Sequence, residues 1–551
     1  MKVPSQKSET IFIAVISVGF VIWSAAFIWT SSFIAIDGKR YFCLFDDAMI
    51  SMRYAWNFSH GLGLVWNQEE HIQGYTNLLM TLIMSVPAFI SDKSTAVLLI
   101  QILGMIFMLA IAYVSMKIAN HIIPSKNQQH QSFIRVLSFL CALSYYPLNY
   151  WSLMGMETGL LTLLLLLGIL YAFDYTRSEN TVCVLWMSIF LGLTFLTRNE
   201  SIIFTALVYI YLIWDASIFT VKVNRKDILP LFVGIGLYFL FIIGQFIFQY
   251  LSYGEFLPNT YTLKLTGMSL FARLSNGFGF IQPFLIEIAP ILIVAVMDLF
   301  FAFRKKKLLL LSVAISAIAY QVYVGGDPWN YWRIMSPSIP LIWILFISSI
   351  NTMVLAVSST QAFGIYFLRN PIFSRKYITE ILVLSLALIG LLLANKRFWS
   401  EISLSEPPYT VVANRINVNT AIALTQVTTS NATIGVYWAG SIPYFTDRRA
   451  IDFLGKSDRY IAHLPPDISG SIASYGMTSV PGHNKYDLNY SIKTFKPTYV
   501  QGFRHGTQDL SQWAQTEYTI VEYVGVRLAL LTNSSTVLWD KVTIPALQEL
   551  P

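Results

Sequence analysis

Two adjacent acids, Asp46 and Asp47, open the stretch FDDAMISMRYAWNFSHGLGLVWNQEEHIQGYTN, residues 45–77, directly after the first long apolar run. The same stretch carries Arg53, Tyr75 and Asn77 and has no room for a core of its own. A carboxylate in such surroundings can take a proton from an attacking hydroxyl, act as a nucleophile, or help hold a divalent cation against a phosphate. An isolated Asp pair more often marks only a solvated loop after a helix, so its meaning rests on the segments that share its side.

Three other segments carry matching chemistry. Glu157 begins an apolar run and is a second candidate acid, although a first-turn glutamate also complements a helix dipole. In LPNTYTLK, residues 257–264, Lys264 stands beside Asn259 and Tyr261, a grouping suited to a phosphate or to an interfacial anchor. In GGDPWNYWR, residues 325–333, Arg333 offers a planar fork of donors for phosphoryl oxygens, with Asp327 and Trp329 nearby. Tryptophans at that depth also form ordinary interfacial belts. A fifth segment, PGHNKYD, is dense in polar groups; its His483 has no partner at metal-ligand spacing, and with Lys485 it fits a surface turn as well as a substrate contact.

The elements that must position these residues are membrane spans. The chain has 551 residues, 55% hydrophobic and only 12% charged, which excludes a soluble globular protein. Residues 11–36 carry no charge, longer than the apolar part of a cleaved leader, and read as a retained first helix. Further apolar runs lie near 75–91, 96–120, 136–150, 158–174, 181–197, 201–217, 229–250, 286–302, 308–324, 338–356 and 378–394. Basic clusters at Lys222, Arg225 and Lys226, at Arg304 to Lys307, and at Arg369, Arg375 and Lys376 mark short loops that stay cytoplasmic. Parity then puts 145–157, 251–285, 325–337 and everything after 395 outside. The acidic stretch joins them if the run at 75–91, which contains Pro87, does not cross, giving about eleven crossings.

Charges are nearly absent from the middles of the spans, whereas transporters place ionisable groups there to move their cargo. The polar residues collect instead in the loops assigned to the outer face, which favours chemistry at the membrane surface. The net charge of +7 follows from the few loop clusters, and no nucleic-acid partner is expected. Cys43, Cys141 and Cys183 give neither a disulfide framework nor a metal motif. The fold class expected is a polytopic α-helical membrane domain, residues 1–395, followed by a soluble α/β domain, residues 396–551. Past 395, β-branched segments such as ATIGVY at 432–437 alternate with polar and helical ones, over enough residues to build their own core.

Together, DDAMISMRYAWNFSHGLGLVWN, QGYTN, LPNTYTLK, GGDPWNYWRIMSPSIP, VYWAGSIPYFTDRRAIDFLGKSDRYIAHL and PGHNKYD resemble, in order and over most of the chain, the GT-C superfamily of integral-membrane glycosyltransferases. Within it the sequence is most similar to the family of mycobacterial terminal arabinofuranosyltransferase B and its bacterial relatives. The resemblance implies a polyprenyl-phosphate sugar donor, a cell-envelope glycan or lipid acceptor, and a multi-pass location in a bacterial cytoplasmic membrane with the site facing the periplasm. It implies Asp46 or Asp47 as base or nucleophile, with Glu157 assisting. It further implies Arg333 and Lys264, with Asn259, Tyr261 and Arg53, at the donor phosphate, and Tyr75, Asn77, Asp327, Trp329, His483 and Lys485 around the substrates. The stretch QEEHIQGYTN departs from the relatives' pattern before GYTN, which leaves the donor sugar open. No cofactor is demanded; a divalent cation (magnesium, manganese or calcium) is compatible with this chemistry and not required by it. The competing expectation is a lipid-linked oligosaccharide flippase with an outer glycan-binding domain.

Overall fold

The computed structural model describes residues 6–216, 225–359, 375–468, 481–548 and 550. Of the basic clusters used to orient the chain, Lys222 and Arg369 and the side chains of Arg225, Lys226, Arg375 and Lys376 lie outside these residues.

Every apolar run forms a helix. After α1 (Gln6–Ser31), the chain makes a two-stranded antiparallel hairpin, β1 (Phe33–Ile34) with β2 (Arg40–Tyr41). It then forms α2 (Asp46–Ser59), α3 (Leu78–Ile90), α4 (Lys93–Ile122), α5 (Gln128–Leu143), α6 (Tyr146–Leu153), α7 (Thr158–Ser178), α8 (Thr181–Thr197) and α9 (Ile202–Asp215). The second half of the bundle is α10 (Arg225–Tyr253), α11 (Asn259–Leu265), α12 (Leu270–Phe301), α13 (Lys305–Val324), α14 (Ile339–Ser359) and α15 (Arg375–Ala394).

The protein is a multi-pass membrane protein. Among the described residues, seven helices are long and apolar enough to cross a bilayer, or eight if the bent pair Ile378–Ala394 and Lys396–Ile402 is one span. These account for eight of the eleven crossings expected. The other three, α5, α8 and α9, have 16, 17 and 14 residues, at or below the lower limit for a span of roughly 17. Helix α3, with Pro87 inside it, has 13 residues and reaches only about 20 Å, short of the ~30 Å hydrocarbon layer.

The acidic stretch is not a loop. Asp46 and Asp47 occupy the first turn of α2, where their charge complements the helix dipole, and most of that helix is buried. The real loop runs from His60 to Asn77 and folds back along α2. There the Asn57 amide donates to the Val65 and Trp66 carbonyls at 2.8 and 3.1 Å, and the Tyr54 hydroxyl donates to the Ile72 carbonyl at 2.7 Å.

After a bend at Trp399–Ile402 (α16), the C-terminal part opens with α17 (Val411–Val427) and builds a five-stranded sheet. Its strands are β3 (Thr433–Val436), β4 (Arg449–Asp452), β5 (Tyr499–Val500), β6 (Tyr518–Tyr523) and β7 (Val526–Leu531), in the order β4-β3-β5-β7-β6. The β3 strand pairs in parallel with β4 and β5, while β5–β7 and β6–β7 are antiparallel. Short helices α18 (Ser441–Thr446) and α19 (Arg459–His463) and the longer α20 (Gln508–Glu517) flank it.

This part does not own all of its core. One cluster, with Phe453, Ile492, Val500, Leu510 and Ile520, is local. The other joins Leu424, Val436, Leu528 and Leu530 to Ile50, Tyr54, Trp66, Tyr75, Leu78 and Tyr253 from the membrane part. The sheet thus closes one of its faces with α2 and its following loop.

Polar latches fix that shared face. Asp46 accepts from the Gly440 and Ser441 amides at 3.1 and 2.8 Å and from the Ser441 hydroxyl at 3.0 Å, at the start of α18. The Trp66 indole donates to the Ala439 carbonyl at 3.0 Å, and the Asn414 amide to the Leu44 carbonyl at 2.9 Å. A Cβ on Gly440 would stand 2.1 Å from the Asp46 carbonyl oxygen, so no larger residue fits this approach. Gly440→Ala is therefore expected to lower stability by about 1–3 kcal/mol, and Ser441→Ala, which removes one hydroxyl, by about 0.5–1.5 kcal/mol. Thermal melts in lipid nanodiscs check the order; equal effects would show that the close approach at Gly440 is not what limits docking.

Candidate active site

Successive residues on a helix point about 100° apart, so Asp46 and Asp47 diverge. Asp46 is turned into the domain seam, as above. Asp47 faces the other way: its Oδ1 lies 2.5 Å from Lys456 Nζ and its Oδ2 lies 3.0 Å from Arg333 Nη1. The second arm of Arg333 reaches Asp327 Oδ2 at 3.0 Å. One carboxylate thus ties together α2, the segment before α14 and the loop after β4.

Each partner is held by its own local structure. Arg333 follows Tyr331 and Trp332, both left-handed with φ of +68° and +47°, a conformation costing about 1–3 kcal/mol per residue. That turn is held by Trp151, whose indole donates to the Tyr331 carbonyl at 2.9 Å. Glu401 also accepts from both the Tyr331 and the Tyr146 hydroxyls. Lys456 sits on a tight loop closed by Asp452, which accepts from the Leu454 and Ser457 amides at 3.0 and 2.8 Å.

Electrostatics separates the two acids further. Burial pushes the Asp46 carboxyl up to about 6, against the amide it binds at Ser441. Burial acts on Asp47 in the same direction, but the Lys456 and Arg333 charges outweigh it and hold Asp47 far below the usual carboxylate range. In return Asp47 holds Lys456 above its usual value, and Asp327 with Asp47 does the same for Arg333, each against burial.

Around this ion network stand nitrogen atoms without partners. Lys264 makes no hydrogen bond or ion pair among the described residues, and burial pushes its ammonium down to about 8. It lies along Gly482, which has φ of +87° and where a Cβ would come within 3.1 Å of Lys264 Cε. His483 is pushed down to about 3 by burial and then by the Lys456 charge, so its imidazole is neutral near pH 7. Its Nδ1, the Trp329 indole nitrogen and the Arg333 Nε are buried with no hydrogen-bond partner. The Trp329 ring meets His483 edge-on at 5.5 Å and packs near Phe45 and Trp438.

Glu157 belongs to an adjoining cluster where three helix ends meet. It accepts from Arg198 Nη1 and from Asn77 Nδ2, both at 3.0 Å, and Arg198 also pairs with Glu200 at 2.5 Å. Glu157 and Arg198 both act on the charge of Arg333.

The structure thus gathers Asp47, Arg333, Asp327, Lys264, Trp329 and His483, with Glu157 and Asn77 alongside. It does not bring the rest of the expected residues there. Arg53 directs its donors at the Trp66, Pro443 and Arg448 carbonyls and at Asn67. Tyr75 is buried with its hydroxyl 3.0 Å from that of Tyr253. Tyr261 is exposed. Asn259 donates to the carbonyls of Gly455, Lys456 and Asp458, and so holds the Lys456 loop. Lys485 donates to Thr262, Thr266 and Ala462 and so pins α11, which carries Lys264. Sequence reasoning missed Lys456 and Arg198; the only sign of Lys456 was its place inside the similar segment AIDFLGKSDRY. Among the described residues no three His, Cys, Asp or Glu side chains converge as metal ligands, and the oxygens of Asp46 and Asp47 meet other partners.

Residues 409–538 match a family described only as a domain of unknown function (DUF8728). No curated protein matches the sequence. Among solved structures, the chain has the GT-C fold. ArnT from Cupriavidus metallidurans bound to undecaprenyl phosphate is similar at a TM-score of 0.61 and 11% identity, over 97% of this chain and 99% of that one. The Archaeoglobus fulgidus oligosaccharyltransferase in its apo form is similar at 0.53 and 11%, over 98% of this chain and 76% of that one. The archaeal oligosaccharyltransferase AglB of the same organism, with an inhibitory peptide and a dolichol-phosphate, gives 0.51 and 10%, over 99% and 76%.

Replacing Arg198 by Met would leave Glu157 and Glu200 without their shared cation. Loss of one partner of a buried pair typically costs about 3–5 kcal/mol. A marked fall in melting temperature is expected; an unchanged melt would show that the acids do not depend on Arg198.

Proposed function

We propose that this protein is a membrane glycosyltransferase that moves a sugar from a polyprenyl-phosphate donor to a cell-envelope glycan or lipid, on the periplasmic side of a bacterial cytoplasmic membrane. The observation that carries the reading is the set of unpartnered donors (Lys264 Nζ, Arg333 Nε and Trp329 Nε1), with the neutral imidazole of His483, around an ion-paired carboxylate. Buried donors left without partners are costly and await an acceptor-rich ligand, and a phosphosugar supplies such oxygens. The fold supports the same class, since the similar structures of ArnT and AglB hold undecaprenyl phosphate and dolichol-phosphate.

The acceptor hydroxyl attacks the anomeric carbon as the bond from that carbon to the phosphate oxygen breaks. The electron pair leaves with the phosphate, and the hydroxyl proton passes to Asp47. Fixed cations already in place stabilise the charge that develops on the leaving phosphate, a task that falls to Arg333, Lys264 and Lys456. The tight pairing of Asp47 makes it a weak base in the empty site. A donor phosphate that draws Arg333 and Lys456 toward itself raises the basicity of Asp47 as the reaction begins. Geometry decides between the acids before basicity does: Asp46 has the higher value, but its oxygens are taken by Gly440 and Ser441.

With purified protein in nanodiscs and a panel of polyprenyl-phosphate sugars, Asp47→Asn is expected to lower turnover by about 10²–10⁴-fold. Asp46→Asn should retain turnover while melting at a lower temperature. Full activity of Asp47→Asn would overturn the mechanism, and passage of lipid-linked glycan across the bilayer without a new glycosidic bond would overturn the class.

Lys264 adds a pH dependence. Its ammonium is charged below about pH 8 and neutral above, so attraction for the donor phosphate is present at lower pH and lost as pH rises through that value. The KM for donor should climb across this range in the wild type. Lys264→Arg, which stays charged, should flatten the climb; an identical profile would remove Lys264 from the phosphate site.

A further inference from the structure

A polar groove of about 860 Å³ lies behind α2, between its C-terminal end, the loop that follows and the edge of the sheet. Asp47 is not among its lining: Arg53 and Trp56 come from later turns of α2, His60 from just past its end, and Arg449 and Asp447 from β4 and its approach. A smaller cavity of about 100 Å³ shares Glu70, Thr433 and Arg449 with it. That cavity runs along β4 to Asp452 and Ser457, the loop that presents Lys456. The Arg449–Glu70 ion pair lines both.

The lining has the chemistry of a saccharide site. The side chains of Gln68, Glu69, Ser430 and Asn431 face the groove and make no hydrogen bond among the described residues. They supply amide, carboxylate and hydroxyl groups, as a sugar's vicinal hydroxyls require. The exposed imidazole of His60 stacks on Trp56 at 4.2 Å and 27°, giving an aromatic surface for the C–H face of a ring. Cations and anions nearly balance, because Arg449 pairs with Glu70 at 2.7 Å and Asp447 with Lys93 at 2.6 Å. A balanced field disfavours polyanions, and the scarcity of apolar side chains disfavours a lipid tail. The volume falls in the range of about 300–1,000 Å³ usual for ligand sites.

We infer that this groove binds a neutral oligosaccharide, the non-reacting length of a glycan acceptor whose end is extended at Asp47. The inference rests on the glycan reading of the acceptor. Binding is therefore measured without donor, so that its failure leaves donor turnover as a separate result. The groove would give the protein a preference for long chains over short ones, since each added sugar along the groove adds contacts.

The test uses the full chain in nanodiscs and fluorescently labelled oligosaccharide ladders of dextran, mannan and arabinan. Wild type is expected to bind one ladder, more tightly as length increases. The double variant Gln68→Ala/Asn431→Ala, whose side chains support nothing else in the fold, should bind the long members about tenfold more weakly. Its donor hydrolysis and melting temperature should be unchanged. Arg449→Ala serves as a second, independent variant. No binding of any ladder by wild type, or equal binding by wild type and both variants, would overturn the proposal.

Discussion

Everything in this fold that bears on chemistry hangs from the first turn of α2, where two neighbouring carboxylates are sent to opposite duties by the helical repeat. Asp46 meets backbone amides and closes a seam; Asp47 meets guanidinium and ammonium groups and closes a site. The same turn of backbone carries both.

The charges of the site also explain why so much protein is committed to holding it. A buried ion pair contributes little net stability, and leaving one partner unpaired is expensive. Here Asp47, Asp327, Arg333 and Lys456 satisfy one another, and each is gripped from behind: Arg333 by a left-handed turn tied to Trp151 and Glu401, Lys456 by the Asp452 loop and Asn259. Lys264, with no carboxylate of its own, is the member whose charge is least secured. The network is complete enough to persist empty and incomplete enough to welcome an anion.

Much of the membrane part was legible from sequence, because apolar runs and charge-free spans report directly on burial in lipid. Length was the weaker signal: α5, α8 and α9 read as spans by composition yet fall short by residue count. The site was legible as a set of segments and not as a set of contacts. Arg333 and Asp47 are 286 residues apart, and Lys456 is 409 from Asp47; no local pattern encodes such pairings. Residue type misled where a side chain's donors are consumed by the fold itself. Arg53, Asn259 and Lys485 have the chemistry of ligand-binding residues, and each aims it at backbone carbonyls. Lys456 went unnoticed because a lone lysine in a soluble segment looks like ordinary surface until a carboxylate is found opposite it.

The shared core has a consequence for how the chain is made. Asp46 emerges from the ribosome 394 residues before Gly440, the first of its amide partners. At about 5–20 residues per second that interval is roughly 20–80 s. Throughout it α2 and its loop must wait beside the bilayer with Tyr54, Trp66 and Tyr75 uncovered. A nascent chain in this state exposes both an unpaired acid and an aromatic face, the features that invite premature burial in lipid or capture by other chains. Biogenesis of this protein is thus a problem of delay, set by the distance along the gene between two halves of one core.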